Sequence, residues 1–167
     1  MNYKCNPLSR KNIRDIVSEI KKHLSCENSL MFDVIKFLEL ILPKVFDNFY
    51  YEIVEDNQLN CYAKAYPQLN KIILSESVYN GAVRGNHRDR FTIAHEIGHF
   101  FLHDDENISF ARGENIRPFE NPEWQANTFA AELLVPHNLI KKMSIEEISH
   151  KCNVSRQVAE IQKSHSF

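Results

Sequence analysis

The sequence predicts an α+β protein: a small, mostly antiparallel three-stranded sheet packed against one buried helix and several other helices. Three observations lead there. Apolar residues recur at helical spacing in residues 8–24, 32–42, 91–103, 121–136 and 145–161. Between the second and third of these lie three short runs rich in β-formers. The stretch FTIAHEIGHFFLH, residues 91–103, is apolar nearly all round, the mark of a helix enclosed by its own protein. A chain of 167 residues is long enough to bury a full core as one domain.

The first helix is expected over residues 8–24, with Leu8, Ile13, Ile16, Val17, Ile20 and Leu24 on its packing side and Ser9 as N-cap. Lys21, Lys22 and His23 suit the negative end of its dipole. A second helix is expected from Phe32 to Leu42, stopped by Pro43. Strands are expected at 50–55, 60–66 and 71–75, separated by Asp56-Asn57-Gln58 and Pro67-Gln68-Leu69-Asn70. The last strand is a candidate border of a cleft, where an extended peptide could pair, and equally an ordinary strand. Residues 80–90 are polar, contain glycine and read as a solvated connection; the other reading is that one of its arginines binds substrate or braces the next helix. After His103, the acidic Asp104, Asp105 and Glu106 oppose the dipole and should end the helix. Residues 107–118 read as a loop. Asn121 as N-cap and Pro122 in the first turn open a further helix that Pro136 closes, and the small Ala130 and Ala131 permit close approach to a neighbour. Residues 145–161 have the spacing of a helix-turn-helix about Cys152 to Ser155.

The chemistry is concentrated in His95, Glu96 and His99, a His-Glu-x-x-His pattern. Residues four apart on an α-helix differ by about 40° in azimuth and roughly 6 Å in rise. Both imidazoles therefore leave one face and can grip one ion, with Glu96 beside them able to reach a water. Catalytic zinc takes a third protein ligand and keeps a fourth position open. His103 continues the series, but three imidazoles in one helical row span about 12 Å and converge poorly. Asp104 follows the helix end and is poorly aimed. Glu123 is the better candidate, because it opens a separate helix that a turn of the chain can bring opposite the histidines. Glu120, before that helix, and Glu132, roughly 180° away round it, compete.

Composition excludes some classes. A net charge of -2 argues against loose, charge-driven nucleic-acid binding. Cys5, Cys26, Cys61 and Cys152 form no Cys-x-x-Cys pair and read as free thiols of a reducing compartment. The polar start MNYKCNPLSRKNIRD lacks a signal-peptide core, and no apolar run is long enough to cross a bilayer. A cytoplasmic protein without membrane association is expected.

FTIAHEIGHFFLH followed by EWQANTFAAELLVP resembles the ImmA/IrrE family of metallopeptidases. The second segment supplies Glu123, Asn127, Ala130, Ala131, Leu133, Leu134 and Pro136, with Val135 where methionine is common. The resemblance implies a zincin-like fold with zinc on His95, His99 and Glu123, one ion per chain, and Glu96 as the catalytic base. Manganese or iron would also suit this ligand type. Asn127 is expected either to orient Glu123 or simply to pack. Candidates for the oxyanion are Tyr62, Tyr66, Tyr79, His87 and the arginines before Phe91. The resemblance further implies a regulatory endopeptidase that cleaves a helix-turn-helix repressor or antitoxin-like protein encoded nearby, in a prophage or mobile element. Residues 1–142 would form the peptidase domain and 143–167 a helical tail packed on it. The alternative is a repressor- or DNA-binding module that uses the tail, with a structural or silent metal site; Arg156, Gln157 and Lys163 are its only obvious contacts, so direct nucleic-acid binding is not expected.

Overall fold

A computed structural model describes residues 3–104, 106, 108–111 and 115–167. The chain opens with strand β1 (Tyr3–Cys5) and helix α1 (Arg10–His23). Ser9 caps α1 as expected: its hydroxyl accepts from Asn12 N at 3.1 Å, and Asn12 Oδ1 accepts from Ser9 N at 3.0 Å. The second helical stretch begins later than predicted and passes through its proline. It comprises α2 (Val34–Lys36), a π-helical turn Phe37–Ile41, and α3 (Leu42–Val45). Asp33 caps its start by accepting from Lys36 N at 3.0 Å. Pro43 has no N–H and its ring would meet the carbonyl four residues back. The wider turn, in which Leu42 N reaches back five residues to Phe37 O, accommodates it, so the helix is distorted rather than stopped.

The three strands of the central sheet appear where the sequence places them: β2 (Tyr50–Val54), β3 (Ala63–Tyr66) and β4 (Lys71–Ser75). Their order is β2-β4-β3, with β2 parallel and β3 antiparallel to β4. The sheet is therefore mixed, not mostly antiparallel. The most apolar run, with Ile72 and Leu74 fully buried, takes the central position, and this separates the two strands that are consecutive in sequence. It follows that β4 cannot offer an edge to a peptide; that edge belongs to β3. Asn70, at φ 48°, makes the tight entry into β4.

Residues 80–90 are not a loop. They hold the end of α4 (Glu76–Val83), a turn at Gly85 with φ +83°, and the first turn of α5 (His87–Leu102). Asn86 Oδ1 accepts from Arg88 N and Asp89 N, which starts α5 four residues before Phe91. Arg90 is consequently buried. Its guanidinium donates to Phe32 O, Cys152 O and Asn153 O at 2.7, 3.1 and 2.5 Å, bracing the helix against both segments.

Beyond α5, strand β5 (Ile108–Phe110) pairs antiparallel with β1. The predicted loop at 107–118 is thus interrupted by a strand; of that loop, residues 107 and 112–114 lie outside the described residues, as does Asp105 of the acidic segment. Helix α6 (Pro122–Leu134) follows, with Asn121 Oδ1 accepting from Glu123 N and Trp124 N. It packs on α5 at Gly98, where an added Cβ would stand 3.1 Å from Ala126 O, so the two backbones approach closely there. Helices α7 (Ile145–Cys152) and α8 (Arg156–Ser164) complete the fold, joined through Asn153 at φ 52°. Ile148, Cys152, Val154 and Ala159 join Ile93, Ile97, Phe129 and Leu133 in one core. Glu132 is buried on α6 and held by Arg10 Nη1 and Arg14 Nε, each at 3.0 Å. Among the described residues, no helix is long and apolar enough to cross a membrane.

Candidate metal centre

His95 and His99 lie one turn apart on α5, and Glu123 opens α6 across from them. The structure brings these three together. His95 Nε2 is 3.0 Å from His99 Nε2, 3.2 Å from Glu123 Oε2, and His99 Nε2 is 3.3 Å from Glu123 Oε1. They form a possible metal site, one donor atom from each residue lying within 4.8 Å of the others. Two ligands held tetrahedrally at about 2.1 Å stand roughly 3.4 Å apart. The observed separations fit such an ion with little adjustment. The competing acids do not join: Glu132 is bound by two arginines, and Glu120 Oε1 pairs with Lys4 at 3.1 Å.

The outer nitrogens of both rings are occupied. His95 Nδ1 lies 2.9 Å from Asn127 Oδ1, so Asn127 orients a histidine and not Glu123. His99 Nδ1 lies 2.9 Å from His103 Nδ1. His103 is buried and bonds through Nε2 to Gln125 Oε1 at 3.0 Å. The spacing of His103 to His99 placed it on the same helix face, whereas nothing in the sequence singled out Gln125.

Electrostatics follow from this packing. Burial works against the charged form of His95, but the hydrogen bond and charge of Glu123, with the charge of Glu96, raise its pKa overall. Hydrogen bonds from His95 and His99 hold the Glu123 carboxyl far below the usual carboxylate range. Burial pushes His103 down to about 4, leaving it neutral near pH 7. Glu96 is raised, chiefly by burial. Its Oε2 accepts from Ala65 N of β3 at 2.7 Å, a contact that sequence reasoning missed because it depends on which strand forms the sheet edge.

Of the oxyanion candidates, Tyr79 donates to Glu39 and is raised to about 12, and Arg90 is buried among carbonyls, so both are committed elsewhere. Arg88 stacks over Tyr62 at 5.4 Å. A cleft of about 690 Å³ adjoins the centre, with Arg88, Phe91, Trp124, Asn127, Val158 and Ile161 in its walls.

A mixed α/β chain with two histidines and two glutamates of a His-Glu-x-x-His site and its downstream acid has the anatomy of a metallopeptidase. Residues 83–162 match the family described as IrrE N-terminal-like domain, Peptidase_M78. Over 84 residues the chain is 33% identical to "Uncharacterized immunity region protein 2" of Bacillus phage phi105. That match covers 50% of this chain and 50% of the phage protein, so the chain spans about half the length of the curated relative it matches. The segment that carries His95, Glu96, His99 and Glu123 is thus similar to the ImmA/IrrE family of metallopeptidases.

Proposed function

We propose that the chain is a zincin-like, zinc-dependent regulatory endopeptidase of the cytoplasm, acting on a helix-turn-helix transcription regulator or antitoxin-like protein encoded nearby. One observation carries the reading: two imidazole nitrogens and a carboxylate converge within 3.3 Å of one another, beside a partly buried glutamate on the helix of the two histidines. His95, His99 and Glu123 would hold the ion and Glu96 would act as base. A zinc ion held there would lower the pKa of its water to about 7 and polarise a carbonyl. Glu96 takes the proton from the attacking water and hands it to the leaving amine. The burial that raises its pKa favours this return of the proton. Asn127 keeps His95 facing the ion. The outer edge of β3 lies beside Glu96 and suits an extended peptide.

The regulatory role is supported by the phage relative, whose name places it in an immunity region. The DNA-binding alternative is weakened by the tail's own contacts. Arg156 is paired with Glu146 and Glu160, and Lys163 Nζ donates to Lys141 O and Met143 O. The tail, residues 143–167, would serve the same unit as residues 1–142. The test is incubation with the regulator encoded beside the gene, with and without chelator. Metal-dependent cleavage is expected; an uncut regulator under zinc, manganese and iron would overturn the proposal.

A further inference from the structure

We propose that His103 and Gln125 are positioning residues: a buried hydrogen-bond relay that fixes the tautomer of His99 and turns its Nε2 lone pair towards the ion site. The inference rests on the metal-site reading above and adds two residues that bind no ion themselves.

The direction of the relay is set at its far end. Gln125 Nε2 lies 2.8 Å from two backbone carbonyls, Asn6 O and Phe119 O. Carbonyls only accept, so the amide NH₂ must face them, and the orientation of Gln125 follows from chemistry. Its Oε1 is then the atom that faces His103, and it too only accepts. His103 Nε2, 3.0 Å away, therefore carries the hydrogen. In a neutral imidazole one nitrogen donates and the other accepts. The Nδ1 of His103 is thus the acceptor, and His99 Nδ1, 2.9 Å from it, is the donor. His99 Nε2, next to His95 Nε2 and Glu123 Oε1, is then the nitrogen left to meet the ion, and it gives up any hydrogen it shares with Glu123 when the ion binds.

Burial makes the arrangement stiff. Gln125 has no exposed surface and His103 is 3% exposed, so no water competes for either ring nitrogen. The relay also ties α5 to the segment before α6 and to the chain entering α1, through Phe119 O and Asn6 O. Nothing in the helix geometry alone would favour one tautomer of His99. Both forms of a free imidazole are accessible, and binding an ion through Nε2 would then require selecting one.

The experiment uses the full chain without metal. Long-range ¹H–¹⁵N correlation spectra of the imidazoles should show hydrogen on Nδ1 of His99 and on Nε2 of His103. His103→Leu should produce a mixture of tautomers at His99 and weaken zinc binding by about 10- to 100-fold in chelator competition. His103→Asn, whose Oδ1 stands where Nδ1 stood, should restore the Nδ1-protonated form and most of the affinity. A His99 Nδ1 without hydrogen in the wild-type chain overturns the proposal, and so does unchanged protonation of that nitrogen with unchanged affinity in His103→Leu. If His103→Leu does not fold, the wild-type spectrum still decides. Failure of the metal-site reading would look different: the wild-type chain would bind no zinc whatever the tautomer.

Discussion

The backbone N–H of Ala65 donates to Oε2 of Glu96 over 2.7 Å, fastening the carboxylate beside the two histidines to the outer strand of the sheet. A glutamine at position 96 can keep this bond through its carbonyl oxygen but cannot take a proton from water. Glu96→Gln should therefore fold and hold zinc like the wild type while losing about 100- to 10,000-fold in cleavage rate. Zinc content and cleavage of the regulator measure the two halves separately. Wild-type turnover by Glu96→Gln would remove Glu96 from the chemistry.

Glu123 contrasts with its partners in exposure: its side chain is 67% exposed, against 16% and 18% for His95 and His99. Removing it should cost the fold little. Losing a direct ligand should exceed the roughly 10- to 100-fold that loss of a supporting residue costs in metal affinity. Glu123→Ala should thus melt near the wild-type temperature in the metal-free state yet lose tight zinc binding in competition with a chelator. Unaltered affinity would exclude it as a ligand.

Gly98 leaves little room for a side chain. An added Cβ meets Ala126 O at 3.1 Å and Phe129 Cβ at 3.2 Å. Alanine gains about 1 kcal/mol of helix propensity over glycine, whereas overpacking costs about 1–3 kcal/mol. Net destabilisation on the order of 1 kcal/mol is expected, a fall of about 2–4 °C in Tm for a chain of this size. Since α5 and α6 carry the two halves of the site, zinc affinity should fall with it. Calorimetry and chelator competition test both, and a more stable Gly98→Ala would show that the helices can move apart without cost.

Lys21 gives a pH signature. It is 5% exposed, donates to Glu132 O at 3.3 Å, and burial pushes its pKa from 10.5 down to about 8. Between those values the unfolded chain binds more protons than the folded one, so this group raises stability as pH rises through the window. Below it, the buried charge costs on the order of 3 kcal/mol. The stability advantage of Lys21→Met over the wild type should be largest near pH 7 and shrink steadily from pH 8 to 10.5. Urea unfolding at several pH values reads this difference, from which the titration of other groups cancels; a difference that does not vary with pH would contradict it.

Local spacing made much of this legible. His95, Glu96 and His99 follow from a four-residue helical interval, and Glu123 from a cap and proline that fix a helix start. Ser9 and Asn121 carry their caps in their own side chains. What escaped depends on partners distant in sequence. The parallel pairing of β2 with β4 was hidden because neighbouring runs suggest hairpins. Strands β1 and β5, of three residues each, are too short to show a period. Gln125 looks like any polar helix residue until Asn6 and Phe119 lie against it. Pro43 reads as a stop, and only the wider turn before it lets the helix continue.

The brace from Arg90 to the carbonyls of Cys152 and Asn153 has a consequence for the order of synthesis. The ribosome delivers α5 well before its last supports exist. Until Ile148, Val154 and Ala159 emerge, part of the core beneath the histidine helix is open and a buried-to-be guanidinium has two of its three acceptors missing. Closure of the core therefore waits for α7 and α8, and a nascent chain stalled before α7 would expose the very apolar surface that invites aggregation or chaperone capture.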